Sequence, residues 1–231
     1  MSEAFEKVSG IVELPIFPLP LVLMPGEVLP LHIFEPRYRQ MLDDVGLGNN
    51  MFGVSFFDPD ADFDRPGIDS IGCVAEIKEV QTLDDGRSNV VTHGLIRYRI
   101  ERYVEEGASY LSARIAFFED AHSDDEETQT SADEVYSLFD RIAKAAFKMS
   151  GSRGRFPEIP KSEPEALSFL VAAAFNLDNE LKYSLLKMTS TKERLERLKG
   201  ILEQAVTQIE DSSDIFRVAQ TNGHSKKKID L

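Results

Sequence analysis

Asp58, Asp60, Asp62 and Asp64 fall at alternate positions in the stretch DPDADFDRPGID, the spacing with which a calcium loop presents its first carboxylates. Such a loop also needs a glycine at its sixth position for a sharp turn and a glutamate at its twelfth as bidentate ligand. Those places hold Phe63 and Asp69, so a solvated acidic loop between strands is the expectation. His32, His93, His122 and His224 are scattered, without metal-ligand spacing. His32 could act as a base, but the sequence sets no orienting acid beside it, and a partly buried ring satisfied by backbone is expected instead. Cys73 sits in an alternating apolar stretch and reads as a buried, inert thiol, not a nucleophile. No phosphate-binding G-x-x-x-x-G-K-S/T loop occurs, and no G-x-S-x-G elbow; GSRG at 151–154 has the wrong order. Lys226 to Lys228 form a short basic run, expected to solubilise the tail, since address and binding signals use more cations. No catalytic residue, metal site or cofactor is expected.

The remaining unusual stretch is LPLHIFEPRYRQML at 29–42. Its local chemistry is that of a joint. Leu29, Leu31 and Ile33 alternate as a strand, and Pro36 suits the first turn of a helix, where a missing N–H costs nothing. Glu35 brings negative charge to that helix's positive end. Tyr38, Met41, Leu42 and Val45 give it an apolar face, and Arg37 can snorkel or pair with an acid. Ile33 and Phe34 are expected to be buried, with Glu35 and Arg37 anchoring the strand unit to its helix.

The elements around this joint divide the chain in two. From about 11 to 118 the pattern is mostly period two: Cys73, Ala75 and Ile77; Ile96, Tyr98 and Ile100; Leu111, Ala113, Ile115 and Phe117. MPGE sets Pro25 and Gly26 at the centre of a type II turn, and LDDGR sets Asp85 and Gly86 where a hairpin needs positive φ. Short, closely spaced strands of this kind build a barrel or sandwich. The acidic stretch 119–130 reads as a solvated linker. Helices are then expected from a Ser131–Glu134 capping box to Met149, over about 165–175 and 180–188, and from a Ser190–Glu193 box to about Ile209. Residues 211–231 are expected to form a disordered tail.

Composition narrows the function classes. At 231 residues with 42% hydrophobic content the chain has material for a core. No apolar run approaches the eighteen or so residues of a membrane span, and MSEAFEKVSG has neither secretory nor transit-peptide character. A lone cysteine excludes an internal disulfide and suits a reducing compartment, so a cytoplasmic location is expected. The net charge of −14 is concentrated early: residues 1–118 carry 19 acids against 10 bases. Nucleic-acid affinity comes largely from cations displacing phosphate counterions, so nucleic acid is not the expected partner.

Residues 13–42, ELPIFPLPLVLMPGEVLPLHIFEPRYRQML, resemble the start of the Lon protease N-terminal, substrate-recognition domain family. DDGR at 84–87, Gly94, RYRI at 97–100 and Tyr110 resemble its later strands, and FNLDNELKYSLLKMTSTKERLERL at 175–198 its helical end. The resemblance spans about residues 11–210. It implies an α+β fold: a PUA-like β pseudo-barrel of about six strands plus a short helix at 11–118, then a helical bundle at 131–210. It implies a member without the ATPase and protease domains, hence no enzymatic activity. What it carries over is binding of unfolded or partly folded proteins, as an adaptor or regulator of proteolysis alongside a separate protease. The candidate client-binding apolar segment is Phe17, Leu19, Leu21, Leu23 and Met24, with barrel filling as the alternative for each. His32, Phe34, Glu35, Pro36, Arg37 and Tyr38 are read as a fold signature. RNA binding through the barrel is the alternative function.

Overall fold

A computed structural model describes residues 2–58, 65–105, 107–121, 125–150 and 155–222. The acidic loop positions Asp60, Asp62 and Asp64, together with His122, His224 and the Lys226 to Lys228 run, lie outside the described residues. Two compact units divide the chain: Met1–Ser123 with Glu165–Thr191, and Asp124–Pro164 with Lys192–Leu231.

The first unit holds a short helix α1 (Glu3–Lys7), strands β1 (Glu13–Leu19), β2 (Val28–Ile33), β3 (Met51–Phe56), β4 (Ile71–Thr82), β5 (Ser88–Val104) and β6 (Leu111–Phe118), and helix α2 (Pro36–Gly46) between β2 and β3. The strands form one sheet in the order β2-β5-β4-β3-β1-β6, and β6 also pairs with β5. This second pairing closes a five-strand ring. The length of β5 makes it possible, because its residues 88–93 pair with β2 while its residues 97–104 pair with β6. Both turns read from sequence are present, with φ of 81° at Gly26 and 77° at Gly86.

The strands are more deeply buried than period two implies. Phe52, Val54, Cys73, Ala75 and Val90 pack on one face with Tyr38, Met41 and Leu42 of α2. Leu14, Ile16, Val74, Ile96, Tyr98 and Ile100 pack on the other with Val8. Two apolar faces need near-continuous apolar strands, which is why β3 and the start of β4 are buried residue after residue. Tyr98 crosses this sheet over Gly53 and Gly72, where any Cβ would stand 2.4–2.6 Å from its ring, and its hydroxyl meets Ser55 Oγ at 2.8 Å.

Helices α3 (Glu126–Met149), α4 (Pro164–Ala174), α5 (Asn179–Lys187) and α6 (Thr191–Asn222) complete the chain. Three expectations need correction. The helix expected to start at Ser131 starts at Glu126, because Asp125 accepts from Thr128 N at 2.6 Å and Glu126 and Glu127 favour the helix's positive end. Five of the twelve residues of the expected linker at 119–130 are therefore helix. The expected helical unit at 131–210 is not one unit, since residues 165–191, with α4 and α5, belong to the strand unit. The tail expected to be disordered from 211 continues α6 to Asn222: no Gly or Pro interrupts 211–222, and Gly223 follows.

In the second unit Val135 and Ile142 of α3 and Leu195, Leu198, Leu202 and Val206 of α6 are buried. Lys192 pairs with Glu127, and Lys199 with Glu134 at 2.7 Å. Both partners advance by seven residues, so α3 and α6 run parallel. Among the described residues no helix is long and apolar enough to cross a membrane.

Candidate functional site

The residues expected to hold clients are mostly interior. Phe17, Leu23 and Met24 are 7%, 1% and 0% exposed, and Leu19 and Leu21 are half-buried against the core that contains Phe17 and Leu23. Phe17 and Leu19 lie on β1, whose place between β3 and β6 leaves it no free edge. Phe17 lies against Tyr38 and Phe52, with ring centroids 4.1 and 6.0 Å away. Phe17, Leu23 and Met24 of this segment pack inside, and only Leu19 and Leu21 keep part of their surface.

The signature stretch divides by side. Ile33 is buried, but Phe34, expected to be buried, is 58% exposed. It follows the last residue of β2, and alternation turns it outward when Ile33 turns in. Pro36 opens α2 as expected, with Tyr38, Met41, Leu42 and Val45 buried. Glu35 and Arg37 do pair, Arg37 Nε donating to Glu35 Oε2 at 3.0 Å. Both side chains are more than 40% exposed, however, and the partners are two residues apart. The pair decorates the helix start and anchors nothing distant. Arg37 lies over the Tyr38 ring at 4.5 Å. Burial raises the Tyr38 hydroxyl above its ordinary value, with Arg37 opposing and Glu35 reinforcing. His32 is exposed, and Asn89 satisfies its Nδ1 at 2.8 Å, not backbone.

A surface feature does exist where β2, β5 and β4 run side by side. A shallow groove of about 380 Å³ lies over them. The registers set its walls in rows. Pro30 faces Val91, which faces Glu79; His32 faces Asn89, which faces Gln81. Asn89 Nδ2 donates to Gln81 Oε1 at 3.4 Å, so the second row is linked across all three strands. Leu31, Val90 and Val80 form the intervening row, which turns to the opposite, core side of the sheet. On the groove side, Val28 at the start of β2 is 60% exposed. The stacked rings of His32 and Phe34, 6.1 Å apart at 25°, extend the patch beyond β2.

A bulge at Lys78 puts Glu79 in this groove. Ile77 faces Thr92, but the next pair is Glu79 with Val91, and Lys78 is the extra residue. An unbroken ladder would pair Lys78 with Val91 and turn Glu79 to the other face, beside Val90. Sequence reading missed Glu79, Asn89 and Val91. Its only signal was the phase break after Ile77, where apolar alternation gives way to Lys78-Glu79-Val80. The groove brings together apolar surface, a satisfied polar row and one carboxylate, an arrangement suited to holding a chain, with no nucleophile–base pair among its residues.

Comparison with known proteins gives a consistent picture. The family model described as the ATP-dependent protease La (LON) substrate-binding domain matches residues 13–204. A Lon protease of Flavobacterium johnsoniae is 28% identical over 218 residues, covering 88% of this chain and 25% of that protein. A Lon protease of Escherichia coli K12 is 27% identical over 204 residues, covering 84% and 25%. The chain thus spans about a quarter of the length of the curated relatives it matches. Among solved structures, a Lon N-terminal domain protein from Xanthomonas campestris superposes with a TM-score of 0.61 at 23% identity, covering 81% of this chain and 97% of that one. The N-terminal domain of a Mycobacterium avium complex Lon protease gives 0.60 at 19%, covering 83% and 98%.

Proposed function

The chain belongs to the ATP-dependent protease La (LON) substrate-binding domain family, and from that premise we propose that it is a non-enzymatic module holding exposed apolar segments of unfolded or partly folded proteins, as an adaptor or regulator of proteolysis. The observation that supports this reading best is the outward apolar surface around the β2–β5–β4 groove. Val28 and Phe34 are each more than half exposed, on the same side of β2 as the exposed Pro30. Exposed apolar side chains grouped in this way mark interaction sites more often than scattered ones do. Each buried methylene is worth about 0.8 kcal/mol, so three or four such contacts give weak, reversible capture.

The test is fluorescence anisotropy with a permanently unfolded, reduced and carboxymethylated protein, its folded parent, and a single-stranded RNA. Saturable binding of the unfolded protein alone is expected, weakened by Phe34→Ser with Val28→Ser. Equal binding of the folded parent, or binding of RNA alone, overturns the reading. ATP turnover or peptide cleavage by the pure protein would overturn its non-enzymatic part.

A further inference from the structure

Glu79 is the only charged side chain lining the groove, and among the described residues no cation stands within ion-pairing distance of it. Its neighbours along the strands are already engaged. Lys78 pairs with Glu76 at 2.8 Å, and Arg87 with Asp85 at 2.6 Å across the hairpin loop. The Lys78 bulge turns this carboxylate toward Val91 and Pro30, where nothing balances it.

From this we infer that the groove selects client segments in which an apolar residue is followed or preceded, two positions away, by a lysine or arginine. The inference rests on the client-binding reading above and names the chemistry of the segment held. The spacing comes from the sheet. Adjacent strands lie about 4.8 Å apart, so Glu79 is about 5 Å from Val91 and about 10 Å from Pro30. An apolar side chain seated between Pro30 and Val91 therefore lies roughly 7 Å from the carboxylate. Same-side residues of an extended peptide are separated by about the same distance. A lysine or arginine two positions from the apolar anchor reaches Glu79 without bending the peptide. The His32–Asn89–Gln81 row, hydrogen-bonded within itself, makes no competing demand for charge.

The experiment uses three labelled extended peptides, alike except for the residue two positions from a single leucine: lysine, norleucine or glutamate. Binding is read by anisotropy at low salt. The lysine peptide should bind about three- to fivefold more tightly than the norleucine peptide, the usual scale of an exposed ion pair, and the glutamate peptide most weakly. Glu79→Gln should abolish the lysine advantage, Glu79→Lys should reverse the order, and raising salt to about 0.5 M should compress it. Circular dichroism checks that both variants, changed at an exposed position, remain folded. Peptides that bind without charge order overturn the inference and leave the client-binding reading standing. Failure of all three peptides while the unfolded protein still binds also overturns it, because the groove is then not the site. If neither peptides nor unfolded protein bind, both fall. Concentration-dependent self-association that Glu79→Lys abolishes would assign the groove to a second copy of the chain and also overturn it.

Discussion

Arg97 of β5 and Asp120 form an ion pair whose side chains are 1% and 3% exposed. The same guanidinium donates through Nη1 to the carbonyl oxygens of Leu186 and Met188 at the end of α5. Its central carbon lies over the Phe118 and Phe169 rings, 4.6 and 5.1 Å from their centroids. Asp120 also accepts from the Thr191 hydroxyl. One buried cation thus satisfies carbonyls that the helix end leaves over and ties residues 165–191 to the strands. Removing Asp120 leaves the buried cation with only the half-exposed Glu165 carboxylate, 3.6 Å away, and breaking a buried pair costs about 3–5 kcal/mol. Asp120→Ala should show that loss in urea unfolding. Arg97→Lys should also be severe, since an ammonium cannot meet the forked acceptors or stack on the rings. A wild-type midpoint for both would show that the node is not a fastening.

The sequence displayed features that depend on neighbours within a few residues. Pro25-Gly26 and Asp85-Gly86 specify their turns by backbone chemistry alone, and Pro36 with Tyr38, Met41, Leu42 and Val45 specifies α2. It did not display what depends on distant partners. The ring closes because β5 changes neighbours between residues 93 and 97, and Arg97 reaches across 91 positions to Met188. The α3 start was misplaced because two caps compete there, and Asp125 with two acids behind it prevails over Ser131. The groove was hidden by one residue. A strand read by strict alternation puts Glu79 on the wrong face, and only pairing with β5 reveals the extra Lys78.

Gly72 should not tolerate alanine. A Cβ there would stand 2.5 Å from the Val54 carbonyl oxygen and 2.4 Å from Tyr98. The ring could move, but the backbone oxygen cannot without breaking the β3–β4 pairing. Overpacking of this kind costs about 1–3 kcal/mol. Tyr98→Phe, which forfeits only the bond to Ser55, should cost about 1 kcal/mol in the same assay. The larger loss at Gly72 is the check, and the reverse order would refute this packing.

Stability should decline in alkali for a reason located in the core. Burial pushes both the Cys73 thiol and the Tyr98 hydroxyl well above their ordinary values. The folded state keeps both protonated, while the unfolded chain begins to release the thiol proton near pH 8.5 and the phenol proton near 10. Below those values nothing is lost. Above them the unfolded state gains by ionising, at up to about 1.4 kcal/mol per pH unit for each group. Cys73→Ala should flatten the fall of urea midpoint between about pH 8.5 and 10. Native Cys73 should resist an aromatic disulfide reagent until the protein unfolds, and rapid native labelling would contradict its burial.

Glu35→Ala should be mild. Its partner Arg37 is exposed and two residues away, and surface pairs contribute about 0–1 kcal/mol. A melting temperature within a few degrees of wild type is expected, together with retained client binding. A loss comparable to that of Asp120→Ala would mean that Glu35 supports more than the start of α2.

Pro30 protects an edge. Strand β2 ends the sheet order and pairs only with β5 among the described residues. Gly94 N donates to Glu27 O at 2.8 Å, so by antiparallel alternation residues 29 and 31 face β5 and the nitrogen of Pro30 faces outward. A proline there removes a donor from the row that another chain would need, a common defence of exposed edges. Pro30→Thr supplies the missing N–H and a residue that favours strands, without disturbing the β5 ladder. The variant should fold with stability close to wild type and should self-associate as concentration rises, seen by light scattering coupled to size exclusion. Adding a charge at the neighbouring outward position, as in Val28→Lys, should suppress that association. If Pro30→Thr keeps the wild-type mass at every concentration, the β2 edge is already covered and the proline has no protective role.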